Sequence, residues 1–538
     1  MNYTRIRKAG VLLHISSLPG MYGIGDMGQC AVEFARILGS AGISAWQTLP
    51  LVPTGGVFSN SPYSSPSAFA GNILFIGPDK LSECGLIDEG ELEQYVVTQS
   101  EKIDFDRAYS IKKKILLSCY AKFRDNDAYK TTFKDMSDKF WRFCSNEAYW
   151  LEDYALFSVL KELEGDIAWS EWRQEYRERD WNALDSLKRE PEIASAMDLF
   201  RFEQFIFFSQ LAELREECGK LNIEMIGDLP IYVAYDSADV WGHQDLFELD
   251  EEGEPSCVAG VPPDYFSETG QRWGNPIYKW SRMRENGYDW WLGRLCHALM
   301  QADRVRIDHF RGLVGYWEIP SEEPTAVNGT WKPGPGGELF NAIRQRFADD
   351  GRKEMPFIAE DLGIMTDDVL RSMEEFNLPG MKVLQFAFGE DMEDNPYVPH
   401  NHRRRCAVYV GTHDNNTTVG WWESEATDAE KRNFMRYIGA SKLNASAAAD
   451  AMTRMALAST ANLALLTVQD ILKLGGSARM NTPSTILGNW EWKLTGFKEL
   501  IREMPRIGEM VSLFGRCDRP AKQEEKEEQK DKGKAEKT

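Results

Sequence analysis

The cysteines have no close neighbours of their own kind: nine are scattered from 30 to 517, and no two stand closer than 25 positions. Without a Cys-x-x-Cys pair, zinc ribbons, thioredoxin-like exchange and iron–sulfur ligation have no ligands, and the thiols read as reduced and buried. Histidine is scarce as well, seven in 538 residues, and none forms His-Glu-x-x-His. His400 and His402 could hold a metal, but Pro399 precedes them and Arg403, Arg404 and Arg405 follow, which reads as an exposed basic loop. Long apolar runs are missing. The most apolar stretch, 455–468, is interrupted by Ser459, Thr460, Asn462 and Thr467 and stops at Gln469 and Asp470, so it cannot span a bilayer. The amino terminus carries Arg5, Arg7 and Lys8 before a short apolar run broken by His14, too little for a signal peptide. Basic residues are outnumbered, 62 Lys and Arg against 84 Asp and Glu for a net charge of −22, which argues against nucleic acid and anionic membrane as partners. No internal repeat or calcium-loop pattern is found, and Gly-Pro-Gly-Gly at 334–337 lacks the Lys-Ser/Thr of a phosphate loop. The expectation is a cytoplasmic protein with no metal, no cofactor and no obligatory protein partner.

Against these absences, apolar residues make up 43% and charged residues 27%, ordinary values for a globular chain with a large core. Aromatics are plentiful, with 17 Trp, 19 Tyr and 27 Phe, either as core filler or as flat faces for stacking on a ligand. Eight short apolar segments bounded by Gly or Pro read as buried parallel strands: 11–15, 43–48, 223–227, 304–308, 356–360, 381–386, 406–411 and 463–468. Helix-length stretches separate them, so the predicted fold is α/β, a (β/α)8 TIM barrel with large, mainly helical insertions between barrel strands. The predicted organisation is a single barrel domain over 1–518, with inserted subdomains at about 53–222, 236–276 and 320–337 and a charged tail at 519–538. The first insertion opens with a Gly/Ser/Pro-rich loop and continues as helices; the other two read as irregular. In 521–538 six Lys balance six Asp and Glu, so the charge excess lies on the folded body.

Barrel enzymes carry their chemistry at the C-terminal ends of the strands. Those ends read Gly227-Asp228-Leu229, Arg306-Ile307-Asp308-His309, Ala359-Glu360-Asp361 and Thr412-His413-Asp414. Several carboxylates converging on one mouth are costly through repulsion and desolvation. Glycosidic-bond chemistry gives a reason for the cost, since it needs one carboxylic acid to protonate the leaving oxygen and one carboxylate to attack the anomeric carbon. Arg306, two residues before Asp308 on a strand, points to the same face and favours the ionised carboxylate. A like charge nearby, from Asp308 or Asp414 across the barrel, would keep a proton on Glu360. Taken singly, each element has a plainer meaning: an ion pair, a helix cap, a turn. Their conjunction in order is what carries the reading.

The segments RIDHFRG (306–312), AEDLG (359–363) and GTHDN (411–415) resemble the signature regions of the 4-α-glucanotransferases. These are the amylomaltases or disproportionating enzymes, family 77 of the glycoside hydrolases, related to the α-amylases. GVLLHISSLPG (10–20), SPYSSPSAFAGN (61–72), IGDLPIYVAYDSADVW (226–241), VAGVPPDYFSETGQRWGNPIY (258–278), GMKVLQFAF (380–388) and NTPSTILGNW (481–490) also look like this family, so the likeness spans about 5–515. It implies that Asp308 is the nucleophile of a β-glucosyl-enzyme, Glu360 the general acid and then base, and Asp414 the group that steadies the distorted sugar. It further implies that Arg306 orients Asp308, His413 bonds sugar hydroxyls, Tyr63 stacks under the sugar, and Asp228 and Asn275 contact substrate. Retention of configuration implies carboxyl groups of Asp308 and Glu360 roughly 5–5.5 Å apart.

The implied substrates are linear α-1,4-glucans, with a glucan or glucose as acceptor. Transfer prevails over hydrolysis where an acceptor is held and water is excluded. The inserted loop at 264–276 is expected to lie over the cleft, with Trp273 supporting the acceptor chain and Phe386 lining the same side. Asn481 and Trp490 carry a weaker signal, because Asn-Thr-Pro is an ordinary turn. Two alternatives remain: an α-glucan hydrolase sharing the first step, and a catalytically silent glucan-binding protein.

Overall fold

A computed structural model describes residues 7–125, 131–263, 267–349, 351, 354–363 and 365–517. The tail expected at 519–538, and residues 264–266 of the loop expected over the cleft, lie outside the described residues. In chain order the strands are β1 (Lys8–Leu12), β2 (Ala45–Gln47), β3 (Glu224–Leu229), β4 (Cys257–Val261), β5 (Gln271–Pro276) and β6 (Arg304–Ile307). They continue with β7 (Gly315–Pro320), β8 (Thr330–Pro333), β9 (Phe357–Ala359), β10 (Gly380–Val383), β11 (Cys406–Tyr409) and β12 (Leu463–Thr467).

Eight of these strands form one parallel sheet in the order β10-β11-β12-β1-β2-β3-β6-β9. Sequences such as CAVY in β11 and LALLT in β12 are buried at every position, as strands covered on both faces must be. Leu12, Ala45, Ile226, Ile358, Met381 and Tyr409, one from each of six barrel strands or their immediate ends, pack together as a cluster of their own. The sheet closes into a barrel between β9 and β10. There the Ala359 N–H donates to the Pro379 carbonyl at 2.9 Å, and the Asp361 carboxylate accepts the Met381 N–H at 2.5 Å and faces Lys382 Nζ at 3.2 Å. Gly380 permits this approach, since a Cβ there would lie 2.4 Å from Asp361 Oδ2.

All eight expected barrel strands are present, with shifted edges. β1 begins at Lys8 because that lysine pairs with Glu224 of β3 at 2.6 Å, a polar start that an apolar-run criterion passes over. β10 stops at Val383, and Leu384–Phe386 form a 3-10 turn. Helices follow most strands, but β10 and β11 are joined by two 3-10 turns, Leu384–Phe386 and Pro399–Asn401. His402 in this connection is buried, contrary to the exposed loop expected there. Its ring meets Ser459 Oγ at 2.7 Å and the Tyr397 carbonyl at 2.9 Å, and burial lowers its pKa to about 4.

Between β2 and β3 the chain makes the helices Phe105–Arg124, Lys134–Asn146, Ala148–Leu163 and Pro191–Lys220. The last begins with Pro at its first position, where the missing N–H is not needed. Its Gln204 takes the Gly71 N–H at 2.6 Å and returns a bond to the Gly71 carbonyl at 3.0 Å; Gln210 does the same for Gly77 at 2.7 and 3.1 Å. A Cβ on Gly71 would sit 2.0 Å from the Phe207 ring. The loop after β2 is thus strapped to the helix and carries Tyr63 into the barrel mouth.

The stretches expected to be irregular at 236–276 and 320–337 instead contribute to a second sheet, antiparallel, ordered β5-β4-β7-β8. Its strands come from two different barrel connections, the one after β3 and the one after β6. The pairing of Gly260 with Trp317 joins residues far apart in sequence, so no local periodicity announces it. Trp273 therefore stands on a strand and not on a loop.

Candidate active site

Arg306 is the centre of the mouth. On β6 it is 3% exposed, with Nη1 on both oxygens of Asp228 at 2.8 and 2.7 Å and Nη2 on Asp308 Oδ1 at 2.6 Å. Burial opposes its charge, but Asp228 and Asp308 overcome this and hold the guanidinium charged. Asp308 follows β6, its N–H donating to the Leu229 carbonyl at 2.9 Å, and its side chain keeps 29% exposure. The backbone then turns sharply: His309 sits at φ 48° and ψ 49°, a left-handed conformation that a non-glycine residue adopts only under constraint. That turn aims the His309 N–H at Glu360 Oε2, 2.8 Å away. Leu362 N–H donates to the other oxygen, Oε1, at 2.7 Å.

Two backbone donors favour an ionised Glu360, yet burial and then the Asp308 charge outweigh them and Arg306, raising its pKa from 4.5 to about 7. The expected effect of a like charge is thus present but second to desolvation. Asp361 turns away into the barrel seam and contributes least.

Asp414 completes the carboxylates from beyond β11. Its Oδ2 lies 3.2 Å from His413 Nε2 and its Oδ1 accepts the Asn481 amide at 2.7 Å. Burial works against its ionisation, but His413, Asn481 and Arg306 prevail and hold it well below the usual carboxylate range. For His413 burial favours the neutral ring; the charge and hydrogen bond of Asp414 outweigh it and raise the pKa. The segment 479–481 grips this corner twice more, by Arg479 Nη2 on the Asp414 carbonyl at 2.6 Å and by the Asn481 N–H on the His413 carbonyl at 3.1 Å. What reads in sequence as an ordinary turn is a clamp on the third carboxylate.

Tyr63 joins the two halves. Its hydroxyl donates to Asp228 Oδ2 at 2.7 Å and meets His413 Nδ1 at 3.3 Å, and its ring stacks on the His413 ring at 4.8 Å and 18°. Trp490 packs beside both, 5.8 Å from Tyr63 and 5.9 Å from His413. An unbroken series of contacts therefore runs from Asp414 through His413, Tyr63, Asp228 and Arg306 to Asp308, and by the His309 N–H to Glu360. Asp228, expected to meet substrate, has a side chain with no exposed surface and both oxygens engaged; its place is beneath the site.

Trp273, 37% exposed, meets the His309 ring edge-on at 4.8 Å and 89°. It thereby stands next to the Asp308 and Glu360 pair. Asn275 spends its amide on the Val233 carbonyl at 2.8 Å, and Phe386 packs edge-on against Tyr397 at 5.6 Å. Among the described residues, no hydrogen bond or ring contact links either to the carboxylate cluster. No group of three or more metal-ligating side chains occurs among the described residues, and none of the described helices is long and apolar enough to cross a membrane.

Known proteins resemble the chain across nearly its full length. A 4-alpha-glucanotransferase of Thermus thermophilus is 45% identical over 493 residues, covering 91% of this chain and 95% of that protein. The chloroplastic/amyloplastic 4-alpha-glucanotransferase of Solanum tuberosum is 40% identical over 515 residues, covering 95% and 86%. The amylomaltase of Streptococcus agalactiae, solved in complex with acarbose, superposes with a TM-score of 0.88 at 33% identity, covering 95% of this chain and all of that one. The sequence profile of glycoside hydrolase family 77, described as 4-alpha-glucanotransferase, matches residues 13–499. The chain belongs to that family, the 4-alpha-glucanotransferases.

Proposed function

We propose that the chain is a retaining 4-α-glucanotransferase that moves a segment of a linear α-1,4-glucan to the 4-hydroxyl of another glucan or of glucose through a covalent glucosyl-enzyme. Asp308 attacks the anomeric carbon while Glu360 gives its proton to the departing 4-oxygen, so one C–O bond forms as the other breaks. Glu360, now a carboxylate, takes the proton from the acceptor 4-hydroxyl as that oxygen displaces Asp308. A group near neutrality suits both duties, and burial beside Asp308 puts Glu360 there. Asp414, held anionic by His413 and Asn481, faces the positive charge that develops on the sugar. Arg306 and Asp228 keep Asp308 in place, with Tyr63 and His413 forming the floor.

The single observation that carries this reading is the continuous series of contacts that brings Asp308, Glu360 and Asp414 into one mouth. Transfer is favoured over hydrolysis by Trp273, whose edge rests on the residue next to Asp308 and supports an acceptor chain there. Maltotriose tests it: transfer yields glucose with a ladder of longer maltodextrins, whereas glucose and maltose alone refute it. The nine free thiols suit a reducing compartment, which we read as the cytoplasm.

A further inference from the structure

A second cavity, open to solvent on one side, lies away from the mouth carboxylates, between the helices Ala148–Leu163 and Asp289–Gln301 and the short helix Ala238–Gly242. Its volume is about 260 Å³, far above the ~10–15 Å³ that one water needs and just below the roughly 300–1,000 Å³ of drug-sized pockets. Three aromatic rings make its apolar side. Phe69 and Trp150 lie parallel at 6.4 Å and 13°, and Trp290 meets Phe69 edge-on at 5.9 Å. Asp153, Asp239 and His243 make its inner polar side, and Asn286 and Asp289 stand at its exposed rim.

The two inner carboxylates are each already engaged on one oxygen. Asp153 Oδ1 takes Arg179 Nη2 at 2.7 Å, and Asp239 Oδ2 takes the Ala68 N–H at 2.7 Å, with burial raising the Asp239 pKa to about 6. His243 makes no side-chain hydrogen bond among the described residues, and burial favours its neutral ring. Among the described residues no three of these side chains group to hold a metal ion, and an anion would meet carboxylates. A neutral ring with one apolar face and several hydroxyls satisfies both walls, since C–H groups pack on indole while hydroxyls meet carboxylate oxygens and imidazole.

We infer that this cavity is a binding site for a single hexopyranose, distinct from the catalytic cleft. Its wall includes Ser67 and Phe69 of the loop that carries Tyr63, so an occupant would brace that loop from behind. The inference is independent of the reaction assigned to the barrel mouth.

Gly293 offers a clean test. It borders the cavity, and a Cβ placed there meets nothing within 4 Å, so Gly293→Leu fills the space without steric cost at its own backbone. His243→Phe closes it from the opposite wall. Equilibrium dialysis with radiolabelled glucose should show the wild-type enzyme taking up one more glucose per chain than either variant, or binding it at least tenfold more tightly in that extra class. Far-UV circular dichroism and maltotriose turnover within twofold of wild type confirm that the variants are folded. Equal glucose uptake by wild type and both variants overturns the inference, as does the absence of any second class in the wild type.

Discussion

If Glu360 is the proton donor, the pH dependence of the first chemical step is set by where Glu360 sits. With an ordinary value of 4.5, roughly one molecule in 300 would carry the proton at pH 7; at about 7, half of them do. The difference is worth about 3 kcal/mol in favour of the protonated form, most of it from burial and the next part from Asp308. The sign follows directly: an acid catalyst with a raised pKa works below that value and fails above it. For maltotriose, kcat/KM should be level below neutrality and fall about tenfold per pH unit above pH 7, since this ratio reports the free enzyme and the first irreversible step. A donor whose leaving group needs no proton, such as maltotriosyl fluoride, should show no such fall. Glu360→Ala should likewise keep much of its first-step rate on the fluoride while losing it on maltotriose. An apparent pKa near 5 for maltotriose, or an equal fall with the fluoride, would refute the assignment of the proton to Glu360.

Asp308→Asn should lower turnover by about 10⁴-fold or more, as loss of other catalytic nucleophiles does, and near-wild-type activity would end its assignment. Asn481→Ala removes the amide from Asp414 Oδ1; kcat/KM should drop about tenfold, the worth of one hydrogen bond to a charged group. Because that bond helps hold Asp414 ionised, the acidic limb of its pH profile should also move upward, and an unmoved limb contradicts the clamp. Gly380→Ala forces a Cβ against the Asp361 carboxylate and should cost about 1–3 kcal/mol of stability, read as a lower thermal midpoint. An unchanged midpoint would mean that the barrel seam yields more easily than its geometry implies.

The barrel strands are legible in the sequence because each is a short apolar run covered on both faces, and the carboxylates are legible because they stand at the ends of those runs. Other features depend on distances that sequence does not display. The second sheet is hidden because β4 takes one partner, β7, from beyond β6. Asn481 is hidden because it reaches Asp414 across 67 positions of chain. Burial, the leading cause of the Glu360 shift, is a property of the assembled mouth and has no signature in the residues around Glu360. The partners of Asp228 are hidden in the same way: Arg306 and Tyr63, which take both of its oxygens, stand 78 and 165 positions away.

The seam between β9 and β10 has a bearing on how the molecule can be monitored. Glu360 and Asp361 are consecutive, one turned into the mouth and the other fastening the last joint of the ring to Met381 and Lys382. Closing the barrel at this joint and orienting Glu360 are consequently tied through two adjacent residues of the chain. A collapsed form with every other strand paired but this joint open would look nearly native in its secondary structure and yet be inert. Turnover is then a gauge of ring closure, one that should register loss of the final joint during heating or denaturation before spectroscopic signals do.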